Sequence, residues 1–147
     1  LFHIGGYTEG WGLYSELYAY DFLGYSTETA SALRALSSLN YAICSVLDLE
    51  VHTSGWTEED CSNYLQSFGI TDAEQAHSLY ITILEEPANY LKYYLGYLSF
   101  LDLRRWCQKN WPEQFQISAF HQYVLEIGPC PFPVLEKYLK LCYTGSL

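Results

Sequence analysis

Apolar residues recur along this chain every three or four positions, and nowhere do they alternate with polar ones for long. That period predicts amphipathic helices and no strand. A first helix is expected over residues 8–22, with Thr8 as its N-cap after a flexible Gly5-Gly6 pair and a stop near Gly24. A second, long helix starts at Ser26 or Thr27, carries Leu33, Leu36, Leu39, Ile43, Val46 and Leu47 at helical spacing, and runs to about His52 before Ser54-Gly55 breaks it. Thr57-Glu58-Glu59-Asp60 has the form of a capping box, with Asp60 in the place usually held by Glu, and the short helix it opens ends at Gly69. Thr71-Asp72-Ala73-Glu74 repeats the device for a helix to about Leu84. Pro87 suits the first turn of a helix through Leu91, Leu95, Leu98 and Leu101 to Trp106, with Pro112 beyond it. Ser118 is the expected cap of a helix through Phe120, Val124 and Ile127, Gly128-Pro129-Cys130-Pro131 is a rigid break, and a last helix covers residues 134–141 and ends near Gly145. The expected architecture is all-α, about seven helices with ordinary connections, in a single region over residues 1–147.

The first of these helices carries the candidate chemistry. At about 100° per residue, Glu9, Leu13, Glu16 and Tyr20 share one stripe, and Trp11, Tyr14 and Tyr18 share the opposite side. A helix that is apolar on most sides is expected to be buried, and two carboxylates on it then need partners. An arginine, a cluster of backbone amides, a shared proton or a metal ion would each serve.

Composition narrows the function classes. The chain has 147 residues, half of them hydrophobic and 15 of them tyrosine, which suffices for one domain with a real core. With charged residues at 16% it is no disordered acidic tail. A formal net charge of −10 with only seven Lys plus Arg argues against nucleic acid, whose phosphates need clustered cations, and against an anionic membrane surface. No stretch approaches the ~18 apolar residues of a membrane span. The chain opens at Leu1 and holds no methionine, so it is expected to be a piece of a longer protein whose compartment stays open. The five cysteines form no CxxC pair and are expected to be free, mostly buried thiols.

Five landmarks, in order and covering nearly the whole chain, give it a family resemblance. Glu9-Gly10-Trp11-Gly12-Leu13-Tyr14-Ser15-Glu16 resembles an EGWALYxE motif, and Val51-His52-Thr53-Ser54-Gly55-Trp56-Thr57 resembles an xHxxGWT segment. The stretch from Pro87 through Tyr93 to Gly96 is similar to PGQAxxYxxG, and Leu103-Arg104 matches a following LR. Phe120-His121, Val124-Leu125, Gly128, Pro131 and Pro133-Val134-Leu135-Glu136 are similar to an FHxxVLxxGxxPLxxLE ending. Together these resemble the bacterial DUF885 proteins, which look like gluzincin-type zinc metallopeptidases. The chain departs from the family pattern in three places. The HExxH-like segment that should lie before the EGW stretch is not in this chain, and His3 alone does not replace it. Pro87-Ala88-Asn89-Tyr90 stands for the PGQA part, and Thr82-Ile83 stands where an arginine-tyrosine pair is expected.

What the resemblance implies is a zinc site with a divided ligand set. Two histidines of HExxH and a later glutamate would hold the metal, and that glutamate corresponds to Glu9. A carboxylate on a rigid helix suits the role; a buried Glu paired with Arg or capping an amide is the structural alternative. Glu16, two turns along the same face, is a candidate acceptor from a ligand histidine or a structural ion-pair partner of Arg34, Arg104 or Arg105. His52 is a candidate donor to an oxyanion or to substrate carbonyls, or a helix-end histidine stabilised by the dipole. Tyr93, between Tyr90 and Tyr94, is a candidate electrophile steadying a tetrahedral intermediate. Arg104 is a candidate ligand for a substrate carboxylate, or pairs with Asp102, Glu16 or another acid; His121 reads as a satisfied core histidine.

Two functions of different class follow. One is the C-terminal portion of a zinc metallopeptidase acting on peptides, inactive alone because its other ligands lie in a missing N-terminal half. The other is a non-enzymatic helical module that binds peptides in a tyrosine-lined groove. In either case, apolar surface left bare by the missing half is expected to drive self-association.

Overall fold

A computed structural model describes residues 4–145. Among them are seven α-helices and no strand: α1 Gly5–Ala19, α2 Thr27–Ser54, α3 Glu58–Gln66, α4 Ala73–Glu85, α5 Asn89–Asn110, α6 Ile117–Ile127 and α7 Phe132–Thr144, with a 3₁₀ turn at Tyr20–Phe22 after α1. The all-α expectation holds for these residues. The five cysteines are free thiols, of which Cys61 and Cys107 are buried and the other three half-buried.

The fold is organised by a crossing of α1 and α5 at glycine. A Cβ placed on Gly10 would stand 2.5 Å from the Gly96 Cα, and one on Gly96 would overlap the Gly6 carbonyl oxygen and lie 2.8 Å from the Gly10 Cα. Backbone meets backbone there, and no larger residue fits. This corrects the expected start of the first helix. Gly5 and Gly6 are not a flexible leader; α1 begins at Gly5, its N-cap is Ile4 with no side-chain cap, and Thr8 lies inside the helix. Packing against α5 outweighs the helix penalty of four glycines.

Around that crossing, α1 and α5 run in the same direction, with Tyr7, Trp11 and Tyr14 all packed on Phe100. The long α2 runs opposite to both: Arg34 reaches the Leu17 carbonyl, Ser38 the Tyr94 hydroxyl and Ser45 the Tyr90 carbonyl in turn. Helices α6 and α7 close the other side of α1 and α5, burying Phe120, Val124, Leu135 and Leu139 in one core with Leu13, Leu17 and Phe100. A second core forms where α3 and α4 fold back on the C-terminal half of α2, around Ile43, Leu47, Cys61, Leu65 and Ile83.

Several helix ends differ from expectation because tertiary partners replace local caps. The Thr57–Asp60 capping box forms as expected, with reciprocal bonds. At α4 the cap is Asp72, whose carboxylate accepts from the Glu74 and Gln75 amides, rather than Thr71. Ser118 caps nothing: α6 starts at Ile117 after Gln116. Pro87 lies outside α5. The chain turns through Ala88 in the left-handed region (φ 62°), and the first free amides of α5 are taken by Asp48 of α2. Asp48 is 1% exposed; its two carboxylate oxygens accept from Ala88 N at 2.9 Å and Tyr90 N at 3.1 Å.

Two fold predictions follow from these contacts. Gly10→Ala should destabilise the protein by about 1–3 kcal/mol, the range for overpacking a rigid core, whereas Gly12→Ala, with nothing within 4 Å of its Cβ, should stabilise by about 0.5–1 kcal/mol; urea melts of the two variants read the contrast. Asp48→Ala removes the acceptor of two part-buried amides and should lower stability by about 1–2 kcal/mol, seen in the same melts together with faster amide exchange at Ala88 and Tyr90.

Candidate functional site

Glu9 sits half-buried on the face of α1 that looks toward α5 and α2. Among the described residues it forms no ion pair: Arg34 pairs with Asp21 and Arg105 with Asp102, Arg104 packs on the opposite side of α1, and Lys92 lies over the Tyr93 ring, 5.7 Å from its centroid. What faces it is phenolic. The Glu9 carboxylate lies near the Tyr93 hydroxyl of α5 and favours the protonated phenol, which raises the Tyr93 pKa above its usual value; burial adds to the shift. The Tyr93 ring lies against Tyr41 of α2, centroids 5.9 Å apart. Tyr41 also titrates above its usual value, first through burial, then through the charges of Glu16, Cys44 and Glu9. Three helices therefore bring Glu9, Tyr93 and Tyr41 to one place, with Glu16 at its edge.

Glu16 is exposed and needs no buried partner, so the expectation of two buried carboxylates on α1 holds for neither in full. Arg34, Arg104 and Arg105, its expected partners, do not pair with it. His52 is not part of the cluster. It lies eleven residues beyond Tyr41 on α2, about 16 Å along the helix. There its Nδ1 is 2.9 Å from the Asp48 carbonyl oxygen and 3.3 Å from the Asp48 carboxylate. Asp48, which no motif singled out, is the residue that ties His52 to the start of α5. Its only signal in the sequence is a charge among Leu47, Leu49 and Val51.

On the far side of α1 a second polar group forms. The Tyr14 hydroxyl is 2.9 Å from His121 Nε2 of α6 and 3.5 Å from an Arg104 guanidinium nitrogen of α5. Arg104 also lies over the Tyr18 ring, 5.7 Å from its centroid. Trp11, Tyr14 and Tyr18 all pack edge-on to the His121 ring. His121 is thus a hydrogen-bonded core histidine, as expected, and its pKa is held below its usual 6.5 by burial first and by Arg104 second. Arg104 does not pair with Asp102, whose partner is Arg105.

Among the described residues, no three His, Cys, Asp or Glu side chains converge as a metal-binding group. His3 lies outside the described residues. No described helix is long and apolar enough to cross a membrane.

The landmark residues are spread over α1, α2, α5, α6 and α7 of an all-α bundle in which α1 and α5 are pinned at Gly10 and Gly96. The sequence matches, over residues 1–139, the family described as "Bacterial protein of unknown function (DUF885)", and the chain belongs to that family. It is also similar to a crystal structure described as "the putative lipoprotein from Colwellia psychrerythraea", with 30% identity and a TM-score of 0.83, over 96% of this chain and 24% of that one. The chain thus spans about a quarter of the length of that protein. No curated protein matches the sequence.

The coupling of Arg104 to His121 predicts a titration shift. Arg104→Gln removes a charge that opposes His121 protonation, so the His121 pKa should rise toward its usual value, as read by NMR of the imidazole protons. In the parent protein the folded state binds this proton less readily than the unfolded chain does. Stability should therefore decline as pH falls through about 6.5 and level off below the folded pKa, and the decline should be smaller in Arg104→Gln.

Proposed function

We propose that this chain supplies the C-terminal part of the catalytic domain of a zinc-dependent peptidase, with Glu9 as one protein ligand of the metal. The observation that supports it most is the state of Glu9: a half-buried carboxylate on a helix pinned by the Gly10–Gly96 crossing, with no cationic partner among the described residues and a protonated phenol beside it. A half-buried carboxylate without a cation is a natural place for a divalent ion. The family resemblance of the EGW stretch points to the same residue. The remaining ligands come from residues that are not in this chain.

Zinc bound there would polarise a peptide carbonyl and lower the pKa of a coordinated water. The chain's own residues do the rest. The rigid backbone of α1 fixes the Glu9 carboxylate to within the tolerance a metal ligand needs. Tyr93 keeps its proton well above neutral pH, because Glu9 and burial both hold it. It is therefore a hydrogen-bond donor at the pH of hydrolysis, suited to steady the negative charge that develops on a substrate oxygen. Tyr41 shields the pair from solvent on the α2 side. Glu16, exposed two turns along, is placed to accept from a histidine supplied by the rest of the domain. His52 stands too far along α2 to touch the same atom as Glu9, so its role is to brace the start of α5, the helix that carries Tyr93.

The test uses the complete protein. It should contain about one zinc per molecule and cleave peptides, Glu9→Gln should weaken zinc retention by at least about a hundredfold, and Tyr93→Phe should keep zinc while lowering kcat by about a hundredfold. A Glu9→Gln protein that retains both its zinc and its peptidase activity would sink the assignment, as would a native protein that carries no zinc after purification and gains no activity when zinc is added.

A further inference from the structure

Every arginine in the sequence lines a single pocket. The chain has only seven Lys plus Arg against 17 Asp plus Glu, yet Arg34 of α2 and Arg104 and Arg105 of α5 meet around a cavity of about 290 Å³, floored by Tyr14, Tyr18 and Tyr97. Two of the three guanidinium groups are already matched. Arg34 donates to the Leu17 carbonyl at 3.1 Å and pairs with Asp21, and Arg105 pairs with Asp102 at 3.3 Å. Arg104 is not. It is half-buried, has no carboxylate partner among the described residues, and of its five donors one makes a long 3.5 Å bond to the Tyr14 hydroxyl. Its face rests on the Tyr18 ring, which leaves the edge of the guanidinium fork free to point elsewhere. Tyr97 is buried and lines the same cavity as the three arginines.

We infer that this pocket binds the carboxylate of a small organic acid with a flat apolar body. The matched pairs leave a local charge of about one positive unit, which suits a monoanion better than a phosphate dianion. The planar fork of Arg104 takes a carboxylate bidentately, the Tyr97 hydroxyl supplies a further donor, and Leu101 gives the body an apolar surface to lie on. The volume is near the lower end for small-ligand sites. The pocket does not depend on the metal: Tyr14 and Tyr18 lie about 140° and 180° around α1 from Glu9.

Calorimetric titration of the complete protein with N-acetylphenylalanine, its amide and inorganic phosphate tests the inference. The carboxylate should bind at one site and weaken with added salt, the amide should give no heat of binding, and phosphate should bind more weakly than the carboxylate. Arg104→Gln should weaken the carboxylate at least about tenfold, Tyr97→Phe should weaken it severalfold while sparing the Arg104–Tyr14 contact, and Lys137→Gln and Glu9→Gln should leave it unchanged. Circular dichroism checks that each variant is folded, and Tyr97→Phe carries the test if Arg104→Gln is not. No binding, equal binding of acid and amide, tighter binding of phosphate, or an isotherm indifferent to Arg104 and Tyr97 would overturn the inference. Loss of binding in Glu9→Gln would overturn its independence from the metal site. Failure of the zinc assignment alone would leave the pocket standing.

Discussion

The close approach of α1 to α5 at Gly10 and Gly96 is the constraint on which the rest of the molecule depends. Helices with side chains at their contact sit some 8–10 Å apart; here the contact is backbone on backbone, and any Cβ would intrude. The approach draws Glu9 against Tyr93 on one side and Tyr14 and Tyr18 against Arg104 on the other. These two polar groups are therefore consequences of one crossing. A shift of an ångström between the two helices would loosen each, and a loose site loses most of its chemical value.

The second tie is Asp48, which holds the other end of α5. A helix N-terminus leaves several amides without intrahelical partners, and α5 enters through a left-handed alanine that cannot cap it. A buried carboxylate from α2 accepts from the Ala88 and Tyr90 amides, and the helix dipole offsets its charge. α5 is thus clamped at its start by α2 and in its middle by α1. The residue proposed to act as a donor, Tyr93, lies between the two clamps, where its position is best defined.

The two carboxylates of α1 show how burial separates residues that look alike in sequence. Glu9 and Glu16 share a face at seven-residue spacing, but α5 and α2 cover only the first. Glu9 is left half-buried and without an ion-pair partner among the described residues, while Glu16 is exposed. The three arginines show the converse. They are distant or ordinary in sequence, and the fold gathers them at one cavity in a protein of net charge −10.

The sequence by itself determined that the chain is helical, because a three-to-four-residue apolar period and legible breaks at Gly55, Gly69, Gly128 and Gly145 are local properties of the backbone and its solvent. It also determined the caps made within a few residues, such as Ser26 and the Thr57–Asp60 box, and the landmark residues of the family. Tertiary structure decided what those properties could not reach. Thr8, Thr71, Pro87 and Ser118 were reasonable local ends, yet none is the observed one, since a helix extends wherever packing outweighs propensity. The flexible-looking Gly5-Gly6 pair became helix only because α5 passes over it, and Asp48 became a cap only because α2 and α5 meet forty residues apart in sequence. His52 and Glu9, neighbours in motif logic, were set far apart by the length of α2, because a rigid helix fixes distance in a way that no motif records.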